Sequence, residues 1–93
     1  MTKAKAIMLI CEEVVKAEIK HPKWPKDPIH AVAIMMEECG EAVQAAIDFT
    51  YQDGTDRHIN REALRKELAQ AGAMAIRNLI HLDTCQPVKS EQE

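Results

Sequence analysis

Three of the four prolines in this 93-residue chain lie close together, at positions 22, 25 and 28. Proline removes a backbone donor and biases the residue before it towards extended geometry, so no helix can run through this stretch. We therefore expect a first helix from about Thr2 to about Ile19, followed by an ordered linker over residues 21–26. The apolar stripe of this helix is expected at Ala4, Ile7, Met8, Cys11, Val14, Val15 and Glu18.

Two long helices are predicted after the linker. Asp27 followed by Pro28 is a strong helix start, because an N-cap carboxylate precedes proline at the first helical position. The second helix should run to about Gln52, with a solvated turn around Gly54. A third helix should begin at an N-cap, Asn60, and continue through about residue 82.

The predicted fold class is all-α: a helical bundle of two long helices plus an N-terminal helix, completed by oligomerisation. One domain is expected over residues 1–93, with its core in residues 28–82 and a flexible tail over residues 84–93. Aromatic residues make up only 3% of the chain, so the core must consist of aliphatic residues and methionine, which favours helices. A chain this short buries only about 60–65% of its unfolded surface alone, so we expect an obligate homo-oligomer.

Composition and charge exclude several classes of protein. The net charge is −3 and the basic residues are scattered, which argues against a nucleic-acid partner. The three cysteines form no Cys-x-x-Cys pair, which argues against zinc and fits a reducing cytoplasm. The longest apolar run, residues 31–36, is far shorter than the roughly 20 residues that cross a bilayer. The sequence therefore predicts a cytoplasmic protein without a membrane partner.

Carboxylates occur on partly apolar faces of both long helices. Glu38 and Glu41 are three residues apart and share a face of the second helix. Glu67 and Gln70 repeat this spacing on the third helix. The helical wheel surrounds Glu38 with small and apolar residues, namely Ala31, Ile34, Met35, Ala42 and Ala45.

Two helices that each present a pair of oxygen ligands at this spacing are how helical bundles build metal sites in their cores. Ligation by oxygen alone indicates magnesium, manganese or calcium. We expect Glu38 and Glu67 to approach each other across the packed helices, within reach of one cation. The plainer alternative is that these glutamates are ordinary helix formers on solvated faces.

The motifs in these two helices resemble those of a known family. Residues 36–43 read Met-Glu-Glu-Cys-Gly-Glu-Ala-Val, and residues 66–70 read Lys-Glu-Leu-Ala-Gln. Together they resemble the Glu-Glu-x-x-Glu and Glu-x-x-Asp signature of the all-α, MazG-like nucleotide pyrophosphohydrolases, over residues 28–82. Members of that family use magnesium to hydrolyse nucleoside triphosphates to monophosphates and pyrophosphate, and they assemble as dimers or tetramers.

This resemblance implies a set of site residues. Glu38, Glu41 and Glu67 would be the metal ligands, and Gln70 stands at the fourth ligand position, where the signature has Asp. The amide oxygen of Gln70 can coordinate but carries no charge, so we expect one well-held Mg²⁺, with Mn²⁺ as a substitute. Either Glu37 or Glu38 would help to position the attacking water.

Four further residues are candidates for substrate binding. Lys66 and Arg77 could contact phosphates, with Asn78 beside them on the same helix, and Trp24 could stack on a base. The plainer alternative for the two cations is an ordinary place on the helix surface. For Trp24 the alternative is a hydrophobic plug that pins the linker to the bundle, with His21 and His30 solvated. Met35, Met36 and Met74 are expected to pack at helical interfaces.

Two rivals stand beside the predicted pyrophosphohydrolase. The first is a non-catalytic helical dimer that binds nucleotide or a protein partner and keeps a degenerate metal site; the uncharged Gln70 favours it. The second is a plain interaction module whose glutamates face water, which predicts no stabilisation by magnesium.

Overall fold

The computed structural model describes residues 1–51 and 57–84, and these residues form three α-helices. The helices are α1 (Lys3–Lys20), α2 (Pro28–Tyr51) and α3 (Arg57–His81), and a short 3₁₀ turn, Leu82–Thr84, follows α3. No strand occurs among these residues, so the predicted all-α class is confirmed. The expected turn around Gly54 and all but the first residue of the expected tail lie outside the described residues.

The predicted starts of the first two helices are confirmed by their caps. The Thr2 side chain accepts a hydrogen bond from the backbone N–H of Lys5 at 3.1 Å. The Asp27 carboxylate accepts one from the backbone N–H of Ile29 at 3.0 Å, and Pro28 is the first helical residue. Each cap satisfies a donor that a helix start would otherwise leave unpaired.

The predicted start of the third helix is wrong by one turn. α3 begins at Arg57, so Asn60 lies inside the helix and does not cap it. The guanidinium carbons of Arg57 and Arg61 lie 5.4 and 5.5 Å from the centre of the Phe49 ring on α2. These cation–π contacts join the first turn of α3 to the end of α2, and a tertiary contact of this kind outweighs a single capping signal.

The third helix packs against both of the others, whereas α1 and α2 have almost no direct contact. α2 runs antiparallel to α3, because Asn78 near the end of α3 is bonded to Ala31 near the start of α2. α1 runs parallel to α3: Ile10 contacts Gly72, and Ala17 is bonded to Arg77. This arrangement leaves a space between α1 and α2, over one face of α3.

Small side chains let the helices approach closely at the centre of the molecule. Ala73 is completely buried and forms the core with Val14 and Met74. A Cβ atom added to Gly72 would lie 3.0 Å from Cδ1 of Ile10, so glycine permits the close contact of α1 and α3. The remaining residues packed on this core are Ala17, Trp24, Ile34, Met35 and Ile76.

Much of the apolar surface of α1 and α2 does not face this core. Of the stripe expected on α1, only Val14 is buried, while Ile7, Met8 and Val15 are exposed. The face that contacts α3 is rotated from the expected one and includes Ile10, Val14 and Ala17. Met36 is also exposed, contrary to the expected packing. Met36 belongs to an exposed apolar stripe of α2 on the side opposite α3. The stripe consists of Ile29, Val32, Met36, Val43, Ile47 and Tyr51.

Among the described residues, no helix combines the length and the apolar character needed to cross a bilayer.

Candidate active site

Three carboxylates meet where α2 packs against α3. Glu38 and Glu41 come from α2 and Glu67 from α3, and one carboxylate oxygen of each lies within 4.8 Å of the others. The spacing of three residues places Glu38 and Glu41 on one face of α2, and the antiparallel packing brings Glu67 opposite them. The expected approach of Glu38 to Glu67 across the two helices is therefore present in the structure. We call these three residues the carboxylate cluster.

The carboxylate cluster concentrates negative charge between α2 and α3. Burial raises the pKa of the Glu38 carboxyl above its usual value, and the neighbouring Glu41, Glu67 and Glu37 raise this pKa further. Oε2 of Glu38 and Oε1 of Glu67 are buried and have no hydrogen-bond partner among residues 1–51 and 57–84. Buried acceptors without partners are costly, as are carboxylates held close together.

Neither ion pair in the described part of the chain includes a member of the cluster. These pairs join Lys16 to Glu13 on α1 and Arg65 to Glu62 on α3. A divalent cation would fit the cluster, because it would satisfy the unpaired oxygens and offset the repulsion between the carboxylates. Oxygen ligands of this kind suit magnesium or manganese.

A groove of about 880 Å³ runs over α3, between α1 and α2, and two members of the cluster, Glu38 and Glu41, line it. A volume of this size is typical of small-molecule sites. Gln70, one turn after Glu67 on α3, also lines the groove. Apolar residues also line the groove, namely the half-buried Ile34 and the buried Ala73 and Met74. Glu37 is exposed and does not line the groove.

Positive charge lines the side of the groove that faces the cluster. Lys16 and Lys20 come from α1, Lys23 from the linker and Lys66 from α3. Sequence reasoning identified Lys66 alone among them. It missed Lys16, Lys20 and the half-buried Glu13, because nothing in the sequence shows that α1 docks parallel to α3. The polar residues at positions 13, 16 and 20 do share one face of α1, and this spacing is the signal that could have indicated them.

Arg77 is not the surface cation of the plainer alternative, since only 2% of it is exposed. Its Nη1 donates to the carbonyl oxygen of Ala17 at 3.3 Å, and its Nη2 donates to that of His21 at 2.7 Å. The guanidinium carbon lies 4.6 Å from the centre of the Trp24 ring. Arg77 therefore holds the end of α1 and the linker against α3, while its Nε has no partner within the described part of the chain.

Trp24 and Asn78 also hold elements of the fold together. Trp24 packs on the core, and its ring stacks on that of His81 at a centroid distance of 5.9 Å. The plug interpretation is therefore confirmed, and Trp24 lines the groove as well. Asn78 does not line the groove, because its amide nitrogen donates to the carbonyl oxygens of Ala31 and Met74. The structure thus brings Asn78 to the helix interface and not to the candidate site.

No family model, curated protein or solved structure matches this chain. A function for the protein has to be inferred from its own residues and their geometry.

Proposed function

We propose that this protein is a magnesium-dependent nucleoside triphosphate pyrophosphohydrolase of the MazG-like type. Water would add across the bond between the α- and β-phosphates, so that a nucleoside monophosphate and pyrophosphate leave. The observation that carries this proposal is the convergence of Glu38, Glu41 and Glu67, two of which, Glu38 and Glu41, line a ligand-sized groove. Two buried carboxylate oxygens without partners support it further, because they are suited to a cation.

Each part of the groove has a role in this proposal. Glu38, Glu41 and Glu67 would hold the metal, and the Gln70 amide would complete its ligands. When bound, a magnesium ion supplies positive charge that offsets the charge developing on the phosphate oxygens. Glu38 would also accept a hydrogen bond from water and position that water. Glu37, the other residue expected in this role, is exposed and lies outside the groove.

Phosphate binding would fall to the lysines that face the cluster. Lys16, Lys20 and Lys66 line the groove and are exposed, so their ammonium groups can move to meet a polyphosphate. Two nitrogens of Arg77 already donate to backbone carbonyl oxygens, so Arg77 would contribute less to phosphate binding than the lysines.

The proposed enzyme is a homo-oligomer, a dimer or a tetramer, in the cytoplasm. One chain leaves apolar stripes exposed on α1 and α2, including Met8 at 59%, Met36 at 57% and Val43 at 60%. Contiguous apolar surface of this kind typically marks an interface. A second copy would cover both stripes and enlarge a core that is thin in the single chain.

Pyrophosphate release tests the enzymatic proposal directly. A panel of nucleoside triphosphates is incubated with the protein and Mg²⁺ or Mn²⁺, and pyrophosphate is measured. We expect metal-dependent release from at least one triphosphate, and a loss of about a hundredfold or more in Glu38→Gln. Glu62→Gln, which changes a carboxylate of α3 outside the groove, should leave the rate unchanged. Absence of release from every triphosphate with both metals would reject the enzyme.

The uncharged Gln70 favours a second candidate, a non-catalytic helical dimer that binds nucleotide or a protein partner. Three carboxylates retain a second cation less well than four, and catalysis can be lost while binding remains. This candidate predicts stabilisation by magnesium and nucleotide together, without pyrophosphate release. A plain interaction module predicts that neither ligand stabilises the protein.

A further inference from the structure

Near its middle, the 24-residue helix α2 contains an exposed glycine, Gly40. A Cβ atom added to Gly40 would meet nothing within 4 Å among the described residues, whereas one added to Gly72 would meet Ile10. After proline, glycine is the least favourable residue in a helix interior, so its presence there calls for a packing reason such as the close approach of another backbone. The described part of the single chain supplies that reason at Gly72 and not at Gly40.

Gly40 lies at the centre of the exposed apolar stripe of α2. On a helical wheel with roughly 100° per residue, every member of the stripe except Val32 lies within about 60° of Gly40, and so does the exposed Ala33. The buried residues of α2 lie on the opposite side of the wheel, and they are Ala31, Ala42 and Ala45. The element that would approach Gly40 is therefore not α3.

The stripe is nearly symmetric about Gly40. Ala33 and Ile47 lie seven residues before and after it, and Ile29 and Tyr51 lie eleven residues before and after it. If two copies of α2 run antiparallel and cross at this glycine, each residue meets the one at the matching distance on the other copy. Contacts that are exchanged in this way are those of a twofold dimer. The symmetry of the stripe thus favours a second copy of the chain as its partner.

The sizes of the paired residues fit this arrangement. Ile47 of each copy would pack over the small Ala33 of the other. Met36, four residues before Gly40, would pack on Val43, three residues after it. The two glycines would meet at the crossing point, where the absence of side chains allows the helix axes to approach to about 8 Å.

Glu37 distinguishes the antiparallel arrangement from a parallel one. Glu37 and Gln44 lie on the same flank of the stripe, before and after Gly40. In the antiparallel pair, Glu37 of one copy would lie beside Gln44 of the other. One amide N–H of Gln44 donates to Asp48 at 3.0 Å, and the second would donate to Glu37. In a parallel pair, Glu37 would instead face Met36 of the second copy, which would leave its charge unpaired in the interface.

We propose that two copies of this chain pair through α2, antiparallel and crossing at Gly40. This inference rests on the proposed homo-oligomer, and it requires no hydrolysis. The groove-lining residues of α2 lie about 100° or more from Gly40 on the wheel, so α2 of the second copy does not cover them; they are Ile34, Glu38 and Glu41. Both grooves would stay open, and Glu37 would belong to the interface.

Gly40→Leu tests the crossing point. Leucine is a better helix former than glycine and meets open space in the single chain, so the variant should remain helical by circular dichroism. Its side chain would separate the two helices, and sedimentation equilibrium should show dimerisation weakened by about tenfold or more. Gly40→Ala should act in the same direction with a smaller effect. The control is His30→Leu, which places the same side chain at an exposed position of α2 outside the stripe and should leave the dimer intact.

Disulfide formation tests the direction and register in a protein whose three native cysteines are replaced by serine. With oxidised glutathione, a chain that carries both Ala33→Cys and Ile47→Cys should form a covalent dimer, because these positions face each other across the crossing point. Either change alone should give no covalent dimer. Efficient cross-linking of Ala33→Cys alone would indicate parallel helices and overturn the proposed arrangement.

These measurements use no nucleotide, so their outcome is separate from that of the proposed enzyme. A wild-type dimer that is retained at full strength in Gly40→Leu and Gly40→Ala would overturn the crossing at Gly40, even if the protein releases pyrophosphate. A dimer that Gly40→Leu dissociates and His30→Leu does not would support the interface, even if no triphosphate is hydrolysed. A monomeric wild type would overturn both this interface and the proposed oligomer.

Discussion

The guanidinium of Arg77 donates a 2.7 Å hydrogen bond to the backbone carbonyl oxygen of His21, although 56 residues separate the two in sequence. His21 is the C-cap of α1, so this bond satisfies a carbonyl that the helix end leaves unpaired. The same side chain donates to Ala17, one turn earlier. One residue of α3 thus fixes both the end of α1 and the start of the linker.

Replacement of this side chain should destabilise the protein strongly. In Arg77→Met, the carbonyl oxygens of Ala17 and His21 lose their buried donor, and Trp24 loses its cation. We expect a loss of roughly 2–4 kcal/mol in the free energy of unfolding, measured by urea denaturation at one protein concentration. Arg65→Met is the matched control, because its exposed pair with Glu62 should contribute less than about 1 kcal/mol. Equal effects of the two changes would contradict the assigned role of Arg77.

Charge at position 70 should set the affinity of the carboxylate cluster for a cation. Gln70→Asp adds a fourth carboxylate where the family signature has one, and it should tighten Mg²⁺ binding by about tenfold, or roughly 1–2 kcal/mol. Glu67→Gln removes a carboxylate and should have the opposite effect. Calorimetric titration of Mg²⁺ or Mn²⁺ into the three proteins measures the order. Equal, weak binding by all three would show that the carboxylates do not share a site.

The raised pKa of Glu38 has a consequence for stability in the absence of metal. Because the folded protein holds this proton more tightly than the unfolded chain, ionisation of Glu38 costs stability as the pH rises through the raised pKa. Glu38→Gln should therefore raise the melting temperature of the metal-free protein at pH 7. This gain should disappear below the usual pKa of 4.5, where Glu38 is protonated in both states. Thermal denaturation at both pH values measures the difference.

The control for that experiment is Glu12→Gln, which alters an exposed carboxylate of α1. It should not raise the melting temperature at pH 7. Added Mg²⁺ should stabilise the wild type and not Glu38→Gln, because the variant lacks a ligand. If Glu38→Gln melts below the wild type at pH 7 without metal, the cost assigned to burying the Glu38 carboxylate beside its neighbours is contradicted.

The exposed stripe of α2 allows a test of assembly. Val43 is 60% exposed in the single chain, so Val43→Glu should barely affect the stability of a monomer. In the proposed oligomer, this change buries a charge in the interface and should dissociate it. Sedimentation equilibrium of the wild type and of Val43→Glu measures the mass, and His30→Glu, at an exposed position of α2 outside the stripe, is the control. A wild type that is monomeric at micromolar concentration would reject the oligomer.

Local signals were sufficient to predict much of the fold. The prolines and the caps at Thr2 and Asp27 depend on neighbouring residues only, so the first two helix starts could be predicted to within a residue. The start of α3 depends on contacts of Arg57 and Arg61 with Phe49, which belongs to a different helix, α2. A pattern confined to one segment cannot reveal such contacts.

The same distinction applies to the candidate site. Glu38, Glu41 and Glu67 could be predicted because helical spacing places each on a face, and two adjacent helices bring these faces together. The presence of Lys16 and Lys20 in the groove could not be predicted, because it depends on the direction in which α1 packs against α3. The burial of Arg77 could not be predicted either, because its partners are backbone carbonyl oxygens of Ala17 and His21, which lie far from it in sequence.

The parallel docking of α1 on α3 bears on how the molecule opens. α2 and α3 are neighbours in the chain and form a local hairpin, whereas the contacts of α1 with α3 close a much longer loop, as the 60 residues between Ala17 and Arg77 illustrate. α1 is therefore the element expected to detach first in partial unfolding. Detachment of α1 would remove Lys16 and Lys20 from the groove but leave the three glutamates of the cluster together on α2 and α3. Amide hydrogen exchange should accordingly be faster in α1 than in α2 or α3, and a bound nucleotide should slow exchange most in α1.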